Sequence, residues 1–405
     1  MSYVKWLVNA AAAVMLACGP DGGQSTESGT VGGETSETGG GEPGACGNAQ
    51  AVPGVYCFDN HTIPSIRGPK LAVSAQFTAS PPARFAVFAL GGVAAMVWWE
   101  DGMVQIDTNI PSITPTTYGR LLAMHVTGSP APDVVATGIW TAGAAPNEGG
   151  VLKPFVPSDL PESVFAESGH TIPLDLGGDG KIEYIKGFGA QAQVWREVDG
   201  TWQKDATEFP VPGCKMLVNF AHGDFNADGL IDLAYIGNVD TDHDPAACED
   251  PAVHGIAVLL QAEVGGLQMM PMVSTAQHKF LTVLVGDFDA DGRDDVSALT
   301  TSRELLLFRS MGDGQFEAPR IVGDAYLHAV GDLDGDGAAE CVVSGKTGAV
   351  MVVDDPFGAL KATELEGAVG RPMAVGDVNQ DGVGDIALYS IVDDDHVLTL
   401  AVSNP

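Results

Sequence analysis

Four stretches of this chain place oxygen-bearing side chains at positions 1, 3, 5 and 9 of a nonapeptide with glycine at position 6. They are Asp224, Asn226, Asp228 and Asp232 around Gly229, then Asp287, Asp289, Asp291 and Asp295 around Gly292. Asp332, Asp334, Asp336 and Glu340 around Gly337 follow, and Asp377, Asn379, Asp381 and Asp385 around Gly382. Alternate side chains of a tight turn converge on one point, which is what a hard dication with oxygen ligands requires. The residues at position 7, Leu230, Arg293, Ala338 and Val383, would add a main-chain carbonyl, for which side-chain type is immaterial. The reading is a set of calcium loops, with about four Ca2+ ions expected from one ion per complete loop.

An EF-hand loop opens with the same D-x-D-x-D-G but closes on glutamate at position 12, between two helices. Position 12 here is Tyr235, Ala298, Val343 or Leu388, none of which ligates a cation. The residues leaving each loop, such as Asp295-Val-Ser-Ala-Leu-Thr, are short β-leaning runs. Each loop therefore joins two strands.

The repeat extends beyond these copies. Asp175, Asp179, Gly180 and Glu183 keep positions 1, 5, 6 and 9 with Gly177 at position 3, which makes a weak fifth site. The apolar frame continues in His125-Val-Thr127-Gly-Ser129 to Asp133 and in Gln76-Phe-Thr78-Ala-Ser80 to Arg84, where the ligand set is eroded. Position 1 thus falls at residues 76, 125, 175, 224, 287, 332 and 377. Seven copies of this length predict an all-β fold, a seven-bladed β-propeller of four-stranded blades. In the fifth repeat the strands read as 281–286, 295–300, 304–309 and 316–322, and in the sixth as 326–331, 340–344, 349–353 and 361–366. The seventh supplies 372–376, 385–390 and 396–403 before the chain ends. Residues 52–66 precede the first repeat and are expected to complete the last blade, which removes the open edges of the ring.

The loops resemble those of the integrin α-subunit propeller (FG-GAP repeats) and of bacterial VCBS-type repeat proteins. The resemblance covers roughly 52–405 and is specific in the last four repeats; scarcity of Phe-Gly and Gly-Ala-Pro strings places the chain nearer the bacterial branch. It implies a calcium-braced propeller. Similar propellers include fungal-type lectins that bind sugars between blades.

The N-terminus reads as an export signal over residues 1–17: Lys5 precedes an apolar run, Trp6 to Ala17, too short to span a bilayer. Val14-Met15-Leu16-Ala17-Cys18-Gly19 resembles a lipobox, with Met15 a departure from the usual leucine and Cys18 the residue to be acylated. Gly19 implies sorting to the outer membrane or cell surface, by resemblance to other lipoproteins; an ordinary secretory signal is the alternative. Residues 18–51, rich in Gly, Ser, Thr and Glu, have too little apolar content for a core and read as a disordered tether.

With 19 Lys and Arg against 53 Asp and Glu, a net charge of -34 excludes the basic footprint that nucleic acid requires. A monomer is expected. Of the 6 cysteines, setting Cys18 aside leaves an odd number. Cys341 lies within a strand and reads as a buried thiol. Cys46 and Cys57, close in sequence, could staple the tether to the closing strand. The long interval between the fourth and fifth loops holds an insertion, 238–254, with Asp240, Asp242, His243, Asp244, Cys248, Glu249 and Asp250. Strand alternation puts this insertion on the face opposite the loops, together with Cys214, so a Cys214–Cys248 disulfide is expected. By resemblance to integrin-type propellers, that face binds the partner, and Asp242, His243 and Asp244 are the ligand candidates; a solvated loop pinned by its disulfide is the alternative.

Catalytic patterns are scarce. No G-x-S-x-G occurs, and Gly345-Lys346-Thr347 lacks the first glycine of a phosphate loop, so it reads as a hairpin turn. His222 and His328 stand near loop acids but read as strand residues. Trp98, Trp99, Trp140, Trp195 and Trp202 could stack on sugars or fill blade cores. The expected function is a surface-anchored module binding an extracellular glycan or protein, not an enzyme. The alternatives are a structural or assembly component of the envelope, or a propeller-fold polysaccharide lyase or hydrolase.

Overall fold

The structure, a computed structural model, describes residues 46, 47 and 51–404, except 79–82, 90–93, 109–119, 128, 138–141, 158–169, 177–180, 189–190, 211–216, 239–253, 263–265, 276–277, 279 and 327. Regular structure among these residues is β throughout, arranged as seven four-stranded antiparallel blades in a ring. Blade one comprises Pro69–Ala75, Arg84–Ala89, Ala94–Glu100 and Met103–Asp107. Blade two comprises Arg120–Met124, Asp133–Thr137, Ala142–Ala145 and Val156–Pro157, and blade three His170–Leu174, Glu183–Phe188, Gln191–Val198 and Thr201–Pro210. Blade four follows with Leu217–Gly223, Asp232–Asn238, Gly255–Gln261 and a fourth strand broken into Leu267–Met269 and Val273–Ser274. Blade five comprises Phe280–Gly286, Asp295–Thr300, Glu304–Phe308 and Arg320–Asp324, and blade six His328–Gly331, Glu340–Ser344, Ala349–Asp354 and Lys361–Val369.

Blade seven is built from both ends of the chain. Arg371–Gly376, Asp385–Val392 and Asp395–Ser403 are joined by Phe58–Arg67, antiparallel to the last strand with Phe58 opposite Ser403 and Ile63 opposite Leu398. This strand begins later than residue 52, because Ala51–Cys57 turns across the loop ends of blades six and seven. Cys46 and Cys57 are disulfide-bonded, Cα to Cα 5.6 Å.

Second strands are buried along their whole length in blades five and six, because a neighbouring blade covers each face. The cores accordingly lie between blades. One cluster joins Phe225, Ile236 and Val258 of blade four to Val283, Val296 and Phe308 of blade five. Another joins Phe85, Val87 and Val97 of blade one to Leu398, Leu400 and Val402 of blade seven and Ile63 of the N-terminal strand. Neighbouring blades also meet through their first strands, which surround the ring axis.

Blade five departs from the sequence reading. Residues 310–312 and 315–316 form a small hairpin, and the fourth strand runs over Arg320–Asp324 and not 316–322. Gly312, Asp313 and Gly314 all take positive φ there, at 83°, 52° and 66°, and so close a tight turn that an apolar pattern does not reveal. Gly345-Lys346-Thr347 is the turn between strands two and three of blade six, with the Gly348 N–H donating to the Gly345 carbonyl at 3.1 Å.

Candidate metal centres

All four complete loops join strand one to strand two of their blade, so they open on one face of the ring. Their internal geometry repeats. Asp at position 1 accepts the N–H of the glycine at position 6 at 2.8 Å in blade four, 2.9 Å in blade five and 3.1 Å in blades six and seven. Position 5 accepts the N–H of position 7 at 2.8 to 3.0 Å throughout, from Leu230, Arg293, Ala338 and Val383. The position 6 glycines lie at φ between 82° and 92°, where a side chain is strained. Position 4 is also left-handed, in Ala227, Ala290, Gly335 and Gln380. These bonds hold the side chains at positions 1, 3 and 5 toward a common point.

In blade five, Asp287, Asp289 and Asp291 each bring one oxygen within 4.8 Å of the others, as do Asp332, Asp334 and Asp336 in blade six. Both triads could hold a metal ion. Asp289 Oδ1 is buried with no hydrogen-bond donor, the state of an oxygen whose partner is a cation. Arginines sit beside this triad, Arg309 against Asp289 and Arg293 against Asp291. In blades four and seven an asparagine takes position 3, and its Oδ1 accepts the position 5 N–H at 3.1 Å (Asn226) and 3.2 Å (Asn379). Its amide group donates to the position 5 carboxylate, Asp228 at 2.9 Å and Asp381 at 2.7 Å.

Position 9 has a role that ligand spacing alone does not reveal. Each of these acids is buried beneath its loop and accepts the N–H of position 2: Asp232 from Phe225 at 3.1 Å, Asp295 from Phe288 at 3.0 Å, Glu340 from Leu333 at 2.6 Å and Asp385 from Val378 at 2.6 Å. The other oxygen of the three aspartates accepts an N–H just beyond strand three or at its end, from Gln261, Ser310 and Ser403 at 2.7 to 2.8 Å. The same staple persists where ligands are eroded. Asp133 accepts from Val126 at 3.0 Å and Asn147 at 2.7 Å, and Glu183 from Leu176 at 2.8 Å. Position 9 therefore ties its loop to strand two in six blades, and bonds the backbone at or just beyond the end of strand three as well in blades two, four, five and seven. Retention of Asp133 and Glu183 in weak copies was the signal for it.

Burial raises the affinity of these acids for protons, pushing Asp232 up to about 6, Asp295 and Asp385 to about 7 and Glu340 to about 9, with their backbone donors pulling the other way. Asp334 and Asp377 are raised for the same reason.

A second unforeseen feature links the loops of blades four to seven and of blade one. The N–H of position 8 donates to the position 1 carbonyl of the preceding blade: Asp294 to Asp224 at 2.9 Å, Ala339 to Asp287 and Gly384 to Asp332 at 2.7 Å, and Ala83 to Asp377 at 3.2 Å across the junction of blades seven and one. Asp294 also accepts the Asp224 N–H at 2.8 Å. A glycine precedes each complete loop because the next blade packs on it; a Cβ on Gly331 would stand 2.5 Å from Val375 Cγ1.

Other expected residues are dispersed. Asp175 and Glu183 are at the blade-three loop, where Glu183 is paired with Arg196 at 3.3 Å; Asp179 lies outside the described residues. So do Cys18, Cys214, Cys248, Trp140 and residues 239–253 of the insertion, with Asp242, His243 and Asp244. In blade two, His125 Nδ1 is 3.1 Å from the Ser129 carbonyl and Thr127 donates to Asp133. Cys341 is a fully buried free thiol, pushed up in pKa by that burial. Trp98 lies under the Arg84 guanidinium at 4.2 Å, Trp99 packs on His61 at 4.8 Å, and Trp202 meets Tyr184 edge-on at 5.3 Å. The buried indole N–H of Trp195 lacks a hydrogen-bond partner.

Residues 287–343, from the first position of the blade-five loop into strand two of blade six, match the FG-GAP-like repeat family. The molecule is thus a seven-bladed β-propeller in which one stretch, across blades five and six, is similar to the FG-GAP-like repeat. Its fold is shared with the BP39L lectin from Burkholderia pseudomallei, at a TM-score of 0.56 and 14% identity over 84% of this chain and 98% of that one. An Agrocybe aegerita lectin that recognises non-reducing terminal N-acetylglucosamine aligns at 0.53 and 16% identity over 83% and 94%. BBS1N, solved in complex with ARL6DN, aligns at 0.53 and 9% identity over 87% and 98%. No curated protein sequence matches the chain significantly.

Proposed function

We propose that this propeller is a calcium-braced module that binds an extracellular glycan or protein ligand, anchored through a lipid on Cys18. The observation that carries it is the repetition of one loop geometry, with its internal donors in place, on one face of the ring. Positions 1, 3 and 5, the position 7 carbonyl and the remaining lone pairs of the position 9 acid would hold Ca2+, about four ions in all. Hard oxygen donors of this kind suit Ca2+ above softer metals. Each site spans a strand-to-strand turn, so the ion would stabilise the folded blade and not polarise a substrate. The resemblance to lectin propellers supports a glycan as the first ligand class to test.

A glycan array probed with the calcium-loaded protein tests this reading, with binding to a defined set of glycans expected. A blank array, with a protein partner recovered instead from intact cells by crosslinking, would assign the protein-ligand form. New reducing ends released from acidic or neutral polysaccharides would overturn the module in favour of an enzyme. Palmitate labelling lost in Cys18→Ser checks the anchor.

A further inference from the structure

The four complete loops are not equivalent. The blade-six loop is crossed by chain from the opposite end of the sequence, Ala51–Cys57. This segment makes a turn, closed by the Val55 N–H on the Val52 carbonyl at 2.9 Å, with Gly54 at φ 75°. The turn aims the Gly54 N–H at Asp334 Oδ2, the position 3 carboxylate of the loop. Asp334 is only 2% exposed as a result. Position 4 carries an independent mark of the covering. It is Ala227, Ala290 and Gln380 in the other loops but Gly335 here, where a Cβ would stand 3.1 Å from Ala51 Cβ and 3.3 Å from the Gly382 carbonyl. The Tyr56 hydroxyl is buried without a hydrogen-bond partner, in the field of Glu340, Asp354, Asp334 and Asp336.

The segment is held at its C-terminal end. Cys57 is bonded to Cys46, the Gly47 N–H donates to the Asn404 carbonyl at 3.1 Å, and the Asn404 N–H to the Cys57 carbonyl at 2.8 Å. Beneath it lies a small cavity walled by Ala51, Val55 and Cys57 on one side and Leu333, Asp334 and Val383 on the other.

We propose that Ala51–Cys57 is a lid on the blade-six cation loop, and that lid docking and cation binding there favour each other. The inference rests on the calcium reading of the loops. Covering Asp332, Asp334 and Asp336 removes water from like charges, which costs free energy unless a cation neutralises them. The Gly54 N–H meanwhile orients one ligand oxygen from outside the coordination shell. Linkage makes the coupling reciprocal: a bound cation holds the lid down, and the docked lid raises cation affinity; lying across the ligands, it also obstructs the path of cation exit.

The test uses the full chain loaded with Ca2+ and mixed rapidly with a fluorescent chelator. One of the released ions is expected in a separate slow phase. Gly335→Gln, which copies the residue tolerated at position 4 of blade seven, should abolish that phase and weaken one site by about tenfold, within the usual range of coupling. The other sites and the ion count should be unchanged. Cys46→Ser with Cys57→Ser should give the same result without touching the loop. In the unaltered protein, amide exchange at residues 51–57 should accelerate when Ca2+ is removed. Ion binding with uniform release in both proteins, or exchange at 51–57 indifferent to Ca2+, would overturn the lid and leave the calcium reading standing. An absence of ion binding would overturn both.

Discussion

At the scale of single residues, the acids of the blade-five and blade-six loops divide into a convergent triad at positions 1, 3 and 5 and a buried staple at position 9. Asp289→Ala removes one arm of a triad and should lower Ca2+ stoichiometry by about one ion, read by titration calorimetry, because each loop is self-contained. Thr78→Ala in eroded blade one should leave stoichiometry unchanged; equal losses would mean that the repeats are misaligned. Asp133→Ala tests the staple where no cation triad is present. It strands the N–H groups of Val126, Thr127 and Asn147. A loss of about 2 to 4 kcal/mol is expected from unsatisfied buried donors, equal with and without Ca2+, in urea denaturation. The staple acids also set a pH dependence. Unfolded, they ionise near 4; in the fold Asp232, Asp295, Asp385 and Glu340 keep their protons to about 6, 7, 7 and 9. Their contribution is complete below pH 4, where both states are protonated, and is lost as pH rises toward these values, since the unfolded chain releases protons first. The melting temperature in EDTA should therefore fall from pH 4.5 to 8.5, whereas bound Ca2+ favours the charged form and should flatten the curve. Parallel curves with and without Ca2+ would count against cations at these loops.

At the scale of elements, the blades are joined by apolar clusters and by the chain of position 8 to position 1 hydrogen bonds. The glycines of the loops serve two purposes, and substitution separates them. Gly331→Ala drives a methyl into Val375 and should cost about 1 to 3 kcal/mol as overpacking between blades six and seven. Gly337→Ala meets no neighbouring atom but must hold φ at 92°, a strain of about 1 to 2 kcal/mol. The order of the two urea midpoints in EDTA checks the assignment. Much of this level was legible beforehand: turn glycines and β-branched runs located the strands of blades five, six and seven to within a few residues. The hairpin at 310–316 was not, because Gly312-Asp313-Gly314 reads equally well as the link between two long strands. Nor was the division of labour among the acids, since a carboxylate that binds a cation and one that binds backbone N–H groups occupy the same place in a nine-residue phrase.

At the scale of the whole molecule, the last blade takes its outer strand, Phe58–Arg67, from the stretch that precedes the first blade. Deleting residues 1–67 removes Phe58–Arg67 and exposes the edge of Asp395–Ser403. The truncated protein should melt at lower temperature and self-associate through that edge, seen by light scattering, because unpaired strand edges recruit other chains. A monomer as stable as the full chain would show that this pairing is dispensable. The sequence by itself determined the repeat, the β class, the blade count and the acids at which cation chemistry is to be sought. Those properties follow from local chemistry, the spacing of oxygen side chains and the glycines of a turn, and local chemistry is written in order along the chain. Only the tertiary structure decided which acids converge and which serve as staples. It also decided that Ala83 of blade one bonds to Asp377 of blade seven, and that Ala51–Cys57 lies over Asp334. These contacts join residues hundreds of positions apart, and their partners are chosen by packing around the ring, which no short window of sequence encodes.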